Sequence, residues 1–476
     1  MSRTQVIASR SRGSIMVVSI SVVVIMASML LVYAQQMRIE TQACANRASA
    51  IQANTIAHGV IAYIGNQLTS SQDPVVLDSM QCEGVPLGEG YFWVIKPDLE
   101  DETKYAFGLQ DECGKLNINT ATFDMLMRLP NMTTDLAAAI IDWRDADENV
   151  SENGGAENEY YLLLTDPYYC KNSPFETLEE IQYVKGATHE LLYGSDSNHN
   201  GVLDPNEHVK QDATTVDLQG FNGNAACGIM KYLTIYSQEA NTTAQGRPRT
   251  NINTASNQQL LQLFGSTMST DRMQKINDLI RSSKPFRSIF DFYFKLQLTK
   301  AEFVPIIDKI TIDPGKILQG RVNISTAPKE VLACLPGLDQ NDAEALTTQR
   351  LSSSTDLSNV AWVIDILPKN KVLAISNYIG TKTKRFSADI VAVSGDGRGY
   401  KRIRCVFDMS GTAPKILYTK DLTHLGWPLD PAILEALRNG TQVPAATQQA
   451  PSFTNARMGG GSGLLANASA MNGGAR

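Results

Sequence analysis

An uninterrupted apolar run, Ser14 to Ala34 (SIMVVSISVVVIMASMLLVYA), follows a polar opening stretch that carries Arg3, Arg10 and Arg12. A helix of roughly 20 apolar residues spans the hydrocarbon core of a bilayer, so a chain that begins this way is expected to be tied to a membrane by one helix. Three arginines before the run, against Arg38 with Glu40 after it, predict a cytoplasmic N-terminus with the bulk of the chain on the far side. A cleaved secretory signal is the alternative, but the run is long for one and no A-x-A-like site closes it. Residues 35–68 are expected to continue as an amphipathic helix through Met37, Cys44, Ala48, Ile51, Ile56, Val60, Tyr63 and Ile64.

The rest of the 476-residue chain has room for two to three domains. Residues 69–111 begin turn-rich and then read as a hairpin, Tyr91–Ile95 and Lys104–Leu109. Strand character returns in residues 381–430, at Phe386–Val393, Tyr400–Phe407 and Lys415–Thr419. The string Gly395-Asp396-Gly397-Arg398-Gly399 between the first two of these is expected to be a hairpin turn and not a phosphate loop, since no helix follows it. Residues 112–380 between the strand blocks read as helical, and residues 440–476, with Gly459-Gly460-Gly461-Ser462-Gly463, as disordered. The fold class that follows is α+β: a long N-terminal helix, a small antiparallel sheet and a large helical insertion within it.

Inside the insertion one phrase recurs. Asn117-Ile118-Asn119-Thr120-Ala121 leads to Leu129-Pro130, Asn251-Ile252-Asn253-Thr254-Ala255 to Leu263-Phe264-Gly265, and Asn323-Ile324-Ser325-Thr326-Ala327 to Leu335-Pro336-Gly337. An Asn or Thr of each phrase is expected to cap the helix that follows. The pattern resembles helix-hairpin-helix modules, whose DNA-binding versions offer hairpin amides to phosphate. The second hairpin glycine is missing in all three, and the net charge is -7. Phosphate binding needs surplus basic charge, so packing is the favoured role and nucleic acid is not an expected partner.

Asp196-Ser197-Asn198-His199-Asn200-Gly201-Val202-Leu203-Asp204-Pro205-Asn206-Glu207 fits the EF-hand loop pattern D-x-[DN]-x-[DN]-G-x5-E at every fixed position. Calcium takes six to eight oxygens. Asp196, Asn198 and Asn200 are placed to supply side-chain oxygens, Val202 its carbonyl, Asp204 a water-mediated contact and Glu207 a bidentate closure. A polar loop between helices is the plain alternative. A weaker acidic set, Asp142, Asp145 and Asp147 at a predicted helix end with Glu157 in the Gly-rich loop beyond, reads either as a solvated surface or as a second cation site, because carboxylates at a helix C-terminus oppose its dipole.

Seven scattered cysteines form no CxxC pair, which removes zinc-ribbon and thioredoxin-like readings; Cys82–Cys113 and Cys170–Cys227 are the pairings considered for an oxidising compartment. The five histidines, His58, His189, His199, His208 and His424, lie in no HExxH, and neither GxSxG nor a Walker loop occurs. No catalytic residue is assigned, and the chain is not expected to be an enzyme.

Arg10-Ser11-Arg12-Gly13 before the apolar run resembles a prepilin leader, cut after glycine so that the mature chain starts at Ser14. Pilins carry glutamate at the fifth mature position, here Val18; its absence is a peculiarity of the K-class minor pseudopilin. Residues 114–121, 138–147, 154–157, Tyr160-Tyr161 and 174–181 are similar to the general secretion pathway protein K family of type II secretion. The similarity covers most of residues 10–210; the later repeats and the C-terminal strands match in style only. It implies a leader (1–13), a pilin spine helix (14–68), a pilin-like sheet (69–111 and 381–430) and an inserted α-domain (112–380, in parts 112–247 and 248–380). It further implies prepilin peptidase as processing and methylating enzyme, an inner-membrane anchor with a periplasmic body, I-class and J-class minor pseudopilins as partners, and the exported substrate as a further candidate. In that family the Asp-Trp-x-Asp-x-Asp segment, here Asp142 to Asp147, lies close to calcium. A membrane-anchored helix-hairpin-helix protein for DNA uptake is the alternative; a calcium-dependent adhesion module is a third.

Overall fold

The spine helix Arg12–Ser70 is continuous. Its apolar segment is exposed throughout its described side chains, and by length and composition it can cross a membrane. Lower down, one stripe turns inward: Ser49, Ala53, Ile56, Ala57, Val60, Ile64 and Leu68, at the three- and four-residue spacing of one helix face. Met37, Cys44, Ala48 and Ile51, expected in that stripe, are exposed. Periodicity fixes a face but not where its partner begins, and here the contact starts at Ser49, whose Oγ donates to Asp396 Oδ2 at 2.7 Å.

That partner is a seven-stranded antiparallel sheet of β1 (Val85–Leu87), β2 (Gly90–Pro97), β3 (Tyr105–Phe107), β4 (Gln110–Asp111), β5 (Arg385–Val393), β6 (Tyr400–Asp408) and β7 (Lys415–Asp421). Its order is β1-β2-β5-β6-β7, with β3 on β2 and β4 on β5. At its centre Trp93 of β2 stands opposite Val391 of β5, so the insertion leaves and re-enters between neighbouring strands. Alternation sends Phe92, Val94, Ile390, Ala392, Ile403 and Cys405 toward the spine helix. Trp93, Ile95, Val391 and Val393 face the other way, under Leu429 and under Ile433 and Leu437 of the C-terminal helix Pro431–Arg438. The glycine string does turn a hairpin, closed by the Ser394 amide on the Gly399 carbonyl at 2.9 Å.

The structure, a computed structural model, describes residues 12–70, 80–98, 104–204, 207, 227–265, 268–353, 355–411 and 413–441. Residues 1–11 of the expected leader and nearly all of the expected tail lie outside these. The two considered disulfides are not formed: Cys82, Cys113 and Cys170 are free and buried, and Cys227 is buried as well. Cys82 packs in the helix–sheet core while Cys113 donates to the Gln238 carbonyl in the insertion, so the first pair belongs to different interiors.

The insertion is three modules of one design around a shared core. Each recurring phrase opens on a two-residue strand that a later segment meets in parallel: Leu116–Asn117 with Leu233–Thr234, Thr250–Asn251 with Ile310–Thr311, and Val322–Asn323 with Ile379–Gly380. Its first Asn does not cap the next helix. The side-chain oxygen of Asn117, Asn251 and Asn323 accepts the amide two residues on, at 2.9, 2.9 and 3.0 Å, which fixes an Asx turn. Capping falls to Thr122 and Ser256, and the third helix, after Pro328, has no side-chain cap. A basic side chain from further on, Arg144, Lys284 or Arg350, donates to the carbonyl of each phrase's alanine.

The second Asn is a clamp. Asn119 accepts the Phe175 amide at 2.8 Å and donates to its carbonyl at 3.0 Å; Asn253 does the same to Phe286 at 2.8 and 2.9 Å. The third module has Ser325 instead, and its buried hydroxyl holds no partner. Asn119→Ala and Asn253→Ala are each expected to cost about 2–3 kcal/mol, two hydrogen bonds with their backbone partners left unpaired. Ser325→Ala should be close to neutral. Urea unfolding of the three variants checks this; equal losses at all three positions would show that the clamps contribute nothing.

Candidate functional site

The helix His189–Tyr193, capped by Thr188, stops at Gly194 and delivers the chain into the acidic loop. Asp196 is 3 % exposed; its Oδ1 accepts the Asn200 amide at 3.1 Å and its Oδ2 the Gly201 amide at 2.7 Å. Asn198 Oδ1 accepts the Asn200 amide at 3.0 Å, and Asn200 Oδ1 the Val202 amide at 2.7 Å. These contacts turn alternate side-chain oxygens toward the inside of one tight loop. Gly201 sits at φ +80° with its α-carbon against Pro97, where a Cβ would stand 2.4 Å from the ring. Only glycine serves both demands.

Glu207 closes the loop. Its Oε1 accepts the Ser197 amide at 2.8 Å and Oε2 the Asp204 amide at 3.1 Å, while Asp204 Oδ2 accepts Asn198 Nδ2 at 2.6 Å. The structure therefore brings Asp196, Asn198, Asn200, Asp204 and Glu207 around one loop, with Val202 buried at its centre. Pro205 and Asn206 lie outside the described residues. Burial pushes the Asp196 carboxyl up to about 7, against the Gly201 amide and with the Glu207 charge adding to the rise. Carboxylate and amide oxygens are the donor types a hard divalent cation takes, and here each carboxylate is held by hydrogen bonds within the loop.

The second acidic set is divided by the fold. Asp142 is fully buried but occupied: Ser151 donates to it from its hydroxyl at 2.5 Å and its amide at 3.1 Å. Asp147 is exposed and accepts from Asn149 at 2.8 Å. Asp145 and Glu157 remain, and Asn172, which sequence reasoning missed, joins them by donating to the Asp147 carbonyl at 2.8 Å.

Glu157 is 2 % exposed, yet neither of its oxygens accepts a hydrogen bond; Asp145 Oδ1 and Asn172 Oδ1 are buried without a partner as well. Burial, with the Asp142 and Asp145 charges adding to it, raises the Glu157 carboxyl above its ordinary range. Orphaned buried oxygens of this kind are rare, because each forfeits its hydration without return. A cation bound among them would supply what the protein does not. Among the described residues no three His, Cys, Asp or Glu side chains converge in metal-holding geometry on their own, so both sets depend on amide or carbonyl oxygens.

The hairpin turns are packing features. Asn131, Gly265 and Gly337 take the positive φ (55, 66 and 78°) that each turn needs. Arg128 of the first module donates to the Ala333, Leu335 and Leu338 carbonyls around the third turn, which joins two modules at the place where a DNA-binding hairpin would meet phosphate. Of the histidines, His199 stacks on Tyr193 with centroids 3.7 Å apart, and burial pushes it down to about 4.

Residues 109–193 match the family described as "Type II secretion system (T2SS), protein K". That span contains the Asp145–Glu157–Asn172 set and stops short of the loop at 196–207. No curated protein matches the chain. Among solved structures the chain is similar to one in the crystal structure of the GspK-GspI-GspJ complex from the enterotoxigenic Escherichia coli type 2 secretion system, at 10 % identity and a TM-score of 0.37, covering 81 % of this chain and 99 % of that one. So loose a superposition carries no argument of its own. Over residues 109–193 the sequence is similar to protein K of the type II secretion system.

Proposed function

We propose that this chain is a K-class minor pseudopilin at the tip of a type II secretion pseudopilus, a non-enzymatic assembly component for protein export across the outer membrane. The observation that carries the reading is positional. The segment matching protein K, residues 109–193, is inserted into an antiparallel sheet packed on the lower half of a helix whose upper half suits a membrane. The helix anchors the chain in the inner membrane, the body lies in the periplasm, and I-class and J-class minor pseudopilins pack beside the exposed stretch above Ser49. Calcium is the resident ion of both acidic sets. There it neutralises buried carboxylates and fixes loops; no chemical step is routed through it.

N-terminal sequencing of the protein from its own membranes tests the assignment. A mature chain starting at Ser14, found only where prepilin peptidase is present, is the expected result. An uncut chain would leave a membrane-anchored protein of another kind. The alternative reading as a DNA-uptake protein finds little support in the net charge of -7 or in the third hairpin turn, which Arg128 fills.

A further inference from the structure

We infer that the tyrosine and leucine face of the first module, within residues 150–183, is a docking surface for a protein partner that presents apolar side chains among lysines or arginines. Among the described residues beyond the spine helix, nine large apolar or aromatic side chains are exposed, and six of them lie in this stretch. Single exposed apolar residues are ordinary; a cluster of them marks an interaction site. Leu163 is 87 % exposed, Tyr169 73 % and Tyr183 59 %, with Tyr160 and Leu162 beside Tyr161.

This face stands on an ordered base. Trp143 and Tyr161 are buried with ring centroids 5.3 Å apart, and ring contacts run on from Tyr161 to Tyr168 at 5.3 Å and from Tyr168 to Tyr183 at 6.0 Å. Tyr168 Oη donates to the Tyr183 carbonyl at 2.7 Å. The Cys170 amide donates to Asn158 Oδ1 at 2.8 Å, which ties the loop after Leu163 back to the short helix Asn158–Tyr161. Aromatic side chains held in place lose little freedom on binding, which is one reason tyrosine is enriched at protein interfaces.

Charge selects the kind of partner. Seven acidic side chains between residues 145 and 190 are exposed, and neither lysine of that stretch is. Glu159 adjoins Tyr160, Asp166 lies between Leu163 and Tyr168, and Glu152 precedes the glycines that Lys185 holds. The local bases are spent inward. Lys171 pairs with Glu180 at 2.7 Å, Lys185 donates to the Gly154 and Gly155 carbonyls at 3.0 and 3.3 Å, and Arg144 serves the Ile118 and Ala121 carbonyls. An apolar face in an acidic field repels nucleic acid, anionic lipid headgroups and a second copy of itself, and it attracts a cationic rim. The tyrosine rings add to that preference. The Lys185 ammonium already sits 5.3 Å from the Tyr160 centroid, and the exposed rings offer the same contact to a partner's lysine or arginine.

The proposal depends neither on the tip assignment nor on any ion. Its test uses the full-length protein in its own membranes, with a benzophenone-bearing residue in place of Leu163. The control carries it in place of Leu351, which is 51 % exposed in the third module. Illumination is expected to fix a protein partner from position 163 and not from 351, and the partner's cross-linked peptide is expected to be net positive. Adding Glu159→Lys with Asp166→Lys should lower the yield about tenfold; both positions are exposed, so folding is not at stake. Equal yields from 163 and 351, an adduct on lipid or on a second copy of this chain, a net negative cross-linked peptide, or a yield that charge reversal leaves unmoved would each overturn the proposal.

Discussion

Asp389→Ala is expected to cost about 3–5 kcal/mol of stability, and pairing it with Arg402→Met to recover most of that loss. Asp389 is 8 % exposed and accepts three hydrogen bonds from two guanidiniums, one of them fully buried. Burial alone would lift its carboxyl; the Arg402 and Arg404 charges outweigh burial and hold it below its ordinary value. Removing the carboxylate strands Arg402 in the interior with only backbone carbonyls for company, whereas removing both charges leaves an apolar contact of similar volume. The pH dependence follows from the sign of the shift. A carboxylate with a lowered folded-state pKa contributes stability above its unfolded value, near 3.9 for Asp, and loses it as pH falls through the folded one. Wild type should therefore lose this contribution on acidification below about pH 4, and Asp389→Ala should lack that limb. Urea unfolding in calcium buffer from pH 3 to 7 measures both; a single-variant loss under about 1 kcal/mol would mean the charges are solvated and the site is not the interior it resembles.

Much of the architecture could be read from the chain because the patterns involved are long. The apolar run from Ser14 specifies a span by length alone, and β2, β5 and β6 are eight or nine residues rich in aromatic and β-branched side chains. What could not be read is pairing at a distance. That residues 69–111 and 381–430 share one sheet is legible, but nothing in Tyr91–Ile95 says that Trp93 stands opposite Val391, and the parallel closures of the three modules are two residues each, too short for any periodic signal. The modules were seen only by their first half. The Pro174-Phe175 and Pro285-Phe286 steps, each held by the second Asn of a phrase, were a further repeat available in the sequence.

At the candidate sites the EF-hand spacing named side chains that the structure does bring around one loop, because a tight loop fixes its own geometry. The dispersed set could not be located that way. Whether Asp142 is free or taken depends on Ser151 nine residues on, and Asn172 enters from a loop with no acidic signature. Asp389 and Arg402 were missed for the same reason: each sits in a strand whose neighbours look like ordinary alternation.

Calcium at about a hundred times its dissociation constant is expected to stabilise the full-length protein by about 2.7 kcal/mol per site, which for a body of this size is roughly 3–4 °C in Tm. The Glu157 set makes the sharper prediction, because its ion-free state is already anomalous. Both Glu157 oxygens, with Oδ1 of Asp145 and Oδ1 of Asn172, are buried and unpartnered. Glu157→Met, which keeps the length and removes the charge, should therefore be more stable than wild type in chelator, by about 1–3 kcal/mol, the cost of an unpaired buried polar group. In calcium the order should reverse, since wild type gains the ion and the variant does not. Glu157→Met with Glu207→Gln should lose the calcium response altogether, while Glu157→Met alone keeps the part supplied by the 196–207 loop. Asp142→Asn separates this account from general acidity. Its oxygens are already held by Ser151, so it should be destabilised in chelator and calcium alike. If Glu157→Met proves destabilising in chelator and wild type melts at one temperature with and without calcium, Glu157 has a partner within the protein and no ion belongs there.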